Sequence, residues 1–387
     1  MHRAGFRSSL MVLSLGWVMI YADRLSISPL MNLIKQEFNL SFSSVSLSLS
    51  IYFLGYLAFT IPATVLAQRF GYKRVMVTLF AAAAFSLGLG GVFGGSYYLL
   101  LLFLCMHGVG AGAFYPTAYK ISTAISVKEK RGLSSAVINS GMGVGSILGL
   151  IVAGPILSLF STWQSVLILL SFFTLIVAFL LHTMVNYREE GLSSFELPEF
   201  KRLLKNRSFV MVCIATFCSI YGYWVILSWA PSFLQTTRHL DLFYSGLATA
   251  LFSGIAIPSS LLVGRYSDRV GRKKVALVLL PLASLTILLM AFTSSLFVFI
   301  FAIVAYGIVG KLTLEPMGIA WVAEIVSSES LGAALSLLNV FGIISALLAP
   351  VITGILTDLT GTLVVGFYCG AVIVLSGTFF LLFVNVS

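Results

Sequence analysis

The feature that most constrains this chain is its succession of long, uninterrupted apolar runs. Bounded by charged or turn residues, they fall at 10–30, 42–66, 75–93, 98–125, 132–154 and 164–185. After a polar break they resume at 208–230, 242–264, 275–292, 296–324, 332–356 and 363–385. A helix needs about 20 apolar residues to cross a hydrocarbon core, whereas a barrel strand would alternate over about ten. Only 9% of the 387 residues are charged and 59% are hydrophobic; a water-soluble domain carries about 25% charged residues. The expected fold class is an all-α integral membrane protein of twelve transmembrane helices. The same composition excludes disorder, collagen and coiled coil. Cys105, Cys213, Cys218 and Cys369 all lie inside apolar runs, so a disulfide framework is not expected. The first run is long enough to be a retained span rather than a cleaved signal.

The polar break, 186–207, divides the chain into an N-terminal six-helix half (1–185) and a C-terminal one (208–387). The charges then orient it. With the N-terminus inside, the inner segments collect Arg3 and Arg7, Arg69, Lys73 and Arg74, and Lys128, Lys130 and Arg131. They also collect five basic residues in the central connection and Arg265, Arg269, Arg272, Lys273 and Lys274. The outer loops hold only Lys35 and Arg238. This asymmetry predicts both termini in the cytoplasm, with the central connection a cytoplasmic linker and the chain a multi-pass protein of the cell membrane. It also accounts for the net charge of +10 without nucleic acid, because the positive side faces anionic lipid.

Shifting the chain by 200 residues superimposes its punctuation: Arg69 on Arg269, Gly71 on Gly271, Lys73 on Lys273, Pro116 on Pro316, Asn139 on Asn339 and Gly154 on Gly354. Matching proline, asparagine and basic residues in one register predict two parallel six-helix repeats about an axis along the membrane normal.

Between spans eight and nine stands Gly264-Arg-Tyr-Ser-Asp268-Arg269-Val-Gly271-Arg272-Lys273-Lys274. This resembles the loop signature G-x-x-x-D-R-x-G-R-K of the major facilitator superfamily, and the resemblance covers nearly the whole chain. The N-half copy departs from it, with Thr64 and Gln68 where the family places glycine and an acid. Span one ends Tyr21-Ala-Asp23-Arg24-Leu-Ser26-Ile-Ser28-Pro29, similar to the Y-x-D-R-x-x-x-S pattern of the anion:cation symporter branch, which includes sugar-acid permeases. Gly108 to Pro116 and Ser140 to Gly149 also resemble that branch. Leu104 and Ala111 depart from it, standing where an arginine and an acid are usual. The resemblance implies alternating access with a site at midplane between the halves. It also implies a cytoplasmic latch at Asp268, Arg269, Gly271 and Arg272, where Glu324 is placed to engage Arg269 or Arg272; in the other half, beside Arg69 and Gly71, Glu129 and Arg131 stand as partners in place of the missing acid.

Charged residues inside spans cost about 2.5–3.5 kcal/mol each by insertion scales, so those present are functional candidates. Arg24 either holds an anion with its planar fork or pairs with Asp23 and snorkels. Lys311 and Glu315, one turn apart, form either a self-neutralising pair or a switch in which substrate recruits Lys311 while Glu315 takes a proton. Asp23 and His107 are further proton-coupling candidates. Tyr21, Tyr115, Tyr221 and Tyr306 are candidates to line a substrate cavity.

The expectation is a secondary transporter, not an enzyme, that takes up a small organic anion such as a carboxylate or sugar acid. The coupling ion is expected to be a proton rather than sodium. No cofactor, metal or nucleic acid is expected, and a monomer in the lipid bilayer is. Two alternatives stay open: export of drugs, cations or metabolites on the same fold, and a membrane sensor that binds without transport.

Overall fold

The structure is a computed structural model, and it describes residues 3–127, 131–187, 200–327 and 330–384. The chain is all α. Its first part comprises α1 (Arg3–Leu25), α2 (Ile27–Glu37), α3 (Phe42–Phe70), α4 (Tyr72–Val92), α5 (Tyr97–Ala111), α6 (Phe114–Ile125), α7 (Arg131–Phe160) and α8 (Gln164–Met184). The short α9 (Phe200–Lys205) precedes α10 (Arg207–Arg238), α11 (Leu242–Val270), α12 (Arg272–Phe292), α13 (Leu296–Val309), α14 (Lys311–Ile325), α15 (Leu331–Thr360) and α16 (Val364–Leu382). Among the described residues, twelve stretches are long and apolar enough to cross a membrane. Large apolar side chains such as Phe85, Phe172, Phe179 and Phe301 stand exposed on them, which suits lipid and not water. Of the central connection expected at 186–207, residues 188–199 lie outside the described residues.

The helices outrun the apolar windows at several ends, because a helix continues past the hydrocarbon until a cap or glycine stops it. The first span, expected over 10–30, extends over 6–37, and α1 meets α2 at Ser26, which keeps helical φ/ψ of −61° and −25°. Pro29 falls in the first turn of α2, where it can offer no amide to Leu25, and the Ser26 hydroxyl donates to the Asp23 carbonyl at 2.8 Å. In span four α5 meets α6 at Gly112–Ala113, which also keep helical φ/ψ, whereas span ten is interrupted at Gly310.

Chain contacts separate two compact units, one of residues 1–39 and 47–196, the other of 40–46 and 197–387. In the first, α1 packs on α7 and α8, and α4 on α5 and α8. In the second, α10 packs on α15 and α16, α12 on α16, and α11 on α13. The repeat at 200 is written in the backbone. Positive φ occurs at Asn39, Gly71 and Ser161 and again at His239, Gly271 and Gly361. Segment 40–46 is held in the second unit by Asp358, whose carboxylate accepts from the Phe42 and Ser43 amides at 2.8 and 2.9 Å.

Candidate functional site

In the first unit, glycines bring the helices close enough to build a buried polar cluster. Along α7, Gly141, Gly145 and Gly149 lie against the carbonyls of Ser14, Val18 and Ala22, where added Cβ atoms would sit 2.2, 2.3 and 2.6 Å from those oxygens. This is the small-xxx-small approach of membrane helices, in steps of four on both partners. On α5, a Cβ at Gly108 would lie 2.0 Å from the Tyr52 carbonyl, and that contact sets the His107 ring 5.3 Å from the Tyr52 ring.

Asp23 and Arg24, adjacent on α1, point to different partners. The Asp23 carboxylate takes the Thr174 hydroxyl of α8, with oxygens at 2.9 and 3.1 Å. The Arg24 guanidinium lies 4.0 Å from the centre of the Tyr21 ring and 5.2 Å from those of Tyr52 and Phe53. Arg24 is 7% exposed, so the snorkelling alternative is not what the structure adopts. The His107 Nδ1–H donates to the Ala83 carbonyl at 2.9 Å, which leaves Nε2 as the acceptor of a neutral ring. Asp23, Arg24, Tyr52 and His107 share a small cavity with Ile27, Ser48, Leu49 and Leu104, with room on the order of one water molecule.

In the second unit, the cluster forms where span ten breaks. Gly310 is extended (φ −82°, ψ −168°), and a Cβ there would meet the Tyr306 carbonyl at 2.6 Å and its ring at 2.7 Å. Thr313 donates its hydroxyl to the freed Gly307 carbonyl at 3.0 Å, as interrupted membrane helices require. Lys311 therefore opens α14, so its ammonium adds to the positive end of the helix dipole. Its Nζ is 2.7 Å from Glu315 Oε2 and 5.0 Å from the Tyr223 ring centre. Tyr223 in turn meets Trp224 and Phe252, and Phe252 meets Tyr306.

The two clusters occupy equivalent places in the repeat. Asp23 and Arg24 correspond to Tyr223 and Trp224, Tyr52 to Phe252, and His107 to Gly307. Each carries one buried cation over aromatic rings, but the first unit takes it from α1 and the second from the break in span ten.

The remaining candidates are distributed. Tyr115 packs on Trp17 and Tyr119. The Tyr221 hydroxyl lies 4.0 Å from Cys369 Sγ, among buried residues. Arg272 bridges Asp268 at 3.1 Å and Glu324 at 2.5 Å, and donates to the Ala320 carbonyl at 2.7 Å. Thus Arg272, rather than Arg269, reaches Glu324. Gly271 has φ 103° and Gly71 φ 99°, conformations that only glycine adopts without strain. Arg69 stacks near Phe70. Glu129 and the Arg131 side chain lie outside the described residues. Sequence reasoning missed Thr174 and Asp358, which touch their partners only through tertiary packing. Gly141, Gly145 and Gly149 lie in the stretch read above only as a resemblance; that they form the face of α7 packed on α1 is what the structure adds.

A family model described as Major Facilitator Superfamily matches residues 13–266 and 212–387. The chain belongs to that superfamily. As a major facilitator it is a multi-pass membrane transporter and not an enzyme. A probable sulfoacetate transporter of Cupriavidus necator is 27% identical over 282 residues, covering 68% of this chain and 65% of that protein. The aligned region thus spans just under two thirds of that relative's length. A probable galactarate/D-glucarate transporter of Bacillus subtilis is 24% identical over 88% of this chain and 83% of its own length. In three dimensions the chain matches the crystal structure of a bacterial homolog of the human lysosomal transporter Spinster, inward-facing and unoccupied. The TM-score is 0.81 with 17% identity, over 99% of this chain and 96% of that one, which shows the shared fold.

Proposed function

We propose that this major facilitator takes up a small organic anion, a carboxylate or sugar acid, by alternating access with proton symport. The observation that carries the reading is the pair of cations, Arg24 and Lys311, each 7% exposed inside apolar spans. Burial of a charge at such depth costs about 2.5–3.5 kcal/mol, and a cargo of opposite sign offsets that cost. Arg24 offers a planar fork suited to a carboxylate. Lys311 offers an ammonium at a helix N-terminus, where an anion is favoured. Two relatives, the probable sulfoacetate transporter and the probable galactarate/D-glucarate transporter, agree in ligand charge.

Coupling is assigned to the acids beside these cations. Glu315 is held by Lys311 until an anion recruits the ammonium, whereupon the carboxylate takes a proton. Asp23 has a neutral partner and serves as a second proton site, with His107 and Tyr52 at the same cavity. The basic inner loops support a cell-membrane protein with both termini in the cytoplasm.

Uptake and counterflow of D-glucarate in liposomes test the assignment. Arg24→Ala and Lys311→Ala are expected to lose both activities. Glu315→Gln and Asp23→Asn are expected to keep counterflow while losing acceleration by an inward proton gradient. Wild-type uptake in the Arg24 and Lys311 variants removes the anion assignment. A thermal shift with a lipophilic cation and none with any carboxylate favours export instead.

A further inference from the structure

The position of Thr174 in the repeat separates its chemistry from its shape. Thr174 is 1% exposed, as is Asp23, and its hydroxyl reaches both carboxylate oxygens. The equivalent residues of the second unit are Val374 and Tyr223. Valine has the outline of threonine without the hydroxyl, so the packing position tolerates the isostere within this same chain. The hydroxyl occurs only where an acid faces it.

The surrounding scaffold does not differ in the same way. One turn before Thr174, Ser171 donates to the Ala84 carbonyl at 2.7 Å. In the second unit Ser284 donates to the Ala371 carbonyl at 2.7 Å. Residues 84 and 171 correspond to 284 and 371, so the same interhelical bond is made with donor and acceptor exchanged. A hydrogen bond that holds the helices together is therefore present in both units, and the Thr174–Asp23 bond is additional to it.

We propose that Thr174 is a positioning residue for a proton site at Asp23, resting on the reading above that Asp23 binds the coupling proton. A hydroxyl has one proton to give and lone pairs to offer. It donates to the carboxylate and, after rotating, accepts from the carboxyl O–H, so Asp23 keeps its partner in both states. The ammonium of Lys311, which only donates, gives Glu315 no such freedom. The proton comes from water and returns to water; no other bond forms or breaks. Among the described residues, the ionisable groups that share this cluster with Asp23 include Arg24 and Tyr21 on α1, Tyr52 on α3 with Tyr56 beyond it beside Arg24, and His107 on α5. The helix α7 brings none between residues 132 and 160, and the only one on α8 is His182, two turns beyond Thr174. Thr174 is stiff about its first side-chain torsion because it is β-branched, which holds the hydroxyl on the carboxylate.

Infrared difference spectroscopy of the purified protein, titrated without substrate, tests this directly. Asp23→Asn is expected to remove one protonated-carboxyl stretching band, and Thr174→Val to move that band to higher frequency. Thr174→Val is also expected to shift the band's titration midpoint upward by about one pH unit, because, of the two bonds lost, the one to the charged form is the stronger. Thr174→Ser is expected to restore both. If Asp23→Asn removes no titrating band, the reading of Asp23 as a proton site fails. If the band belongs to Asp23 and Thr174→Val leaves it unmoved, the role of Thr174 fails while that reading stands. A serine variant displaced like the valine one overturns the role too, since the methyl group and not the hydroxyl would then matter.

Discussion

The glycine stripe of α7 yields the most demanding prediction. In Gly145→Ala the new Cβ stands 2.3 Å from the Val18 carbonyl oxygen, 2.8 Å from Tyr21 Cβ and 2.9 Å from the Val18 carbonyl carbon. Ordinary contacts between such atoms begin near ~3.5 Å, so α1 must retreat from α7 by about 1 Å. Two of the three obstructing atoms are backbone, and no rotamer change relieves them. Overpacking of this kind costs about 1–3 kcal/mol; replacing a helical glycine by alanine returns about 0.5–1 kcal/mol. At mid-range the clash wins by about 1 kcal/mol, and the variant is expected to melt several degrees below wild type. Because Tyr21, Asp23 and Arg24 ride on α1, the same retreat misplaces the site. Misplacement by about 1 Å can cost on the order of 100-fold in rate, so transport is expected to fall further than stability. Fluorescence-detected melting in detergent and liposome uptake measure the two effects. Gly264→Ala is the control, since nothing lies within 4 Å of a Cβ built there; it is expected to hold or raise the melting temperature. Equal melting of Gly145→Ala and wild type, or an equal loss in Gly264→Ala, would refute the reasoning.

Three further outcomes are expected. Gly271→Ala forces a side chain into φ 103° at a cost of about 1–3 kcal/mol, and Gly71→Ala should show a similar fall in melting temperature because its backbone is equivalent. Arg272→Lys keeps the charge but loses the fork that joins Asp268, Glu324 and the Ala320 carbonyl; it should melt lower, while Asp268→Asn changes little, since that acid is 63% exposed and exposed pairs contribute about 0–1 kcal/mol. Asp358→Ala removes a cap worth about 0.5–2 kcal/mol, and hydrogen exchange at the Phe42 and Ser43 amides should quicken; unchanged protection would exclude the cap.

The spans were legible because each is a long apolar run bounded by charged or turn residues, Gly71 and Gly271 among them; that Asp241 and Asn206 cap helices, accepting from the Tyr244 and Phe209 amides, is seen only in the structure. Lys311 with Glu315 was legible for the same reason, since a spacing of four on one helix needs no tertiary information. The partner of Asp23 was not legible. Thr174 lies 151 positions away, and nothing in a run of apolar residues singles out one threonine. The candidate tyrosines illustrate the same limit: periodicity does not say whether Tyr221 faces a cavity or, as found, packs toward Cys369.

Amino-acid order alone determined the class of solvent, the number of spans and the twofold repeat, because these follow from hydropathy, punctuation and the satisfaction of backbone polar groups within each helix. Tertiary structure decided which groups meet. The break at Gly310 and the close approach of α7 to α1 placed two cations in equivalent aromatic clusters, and the packing of α8 on α1 set Asp23 against Thr174. Such contacts depend on the approach and rotation of whole helices, where a displacement of one ångström makes or loses a hydrogen bond, and no local pattern encodes so small a distance.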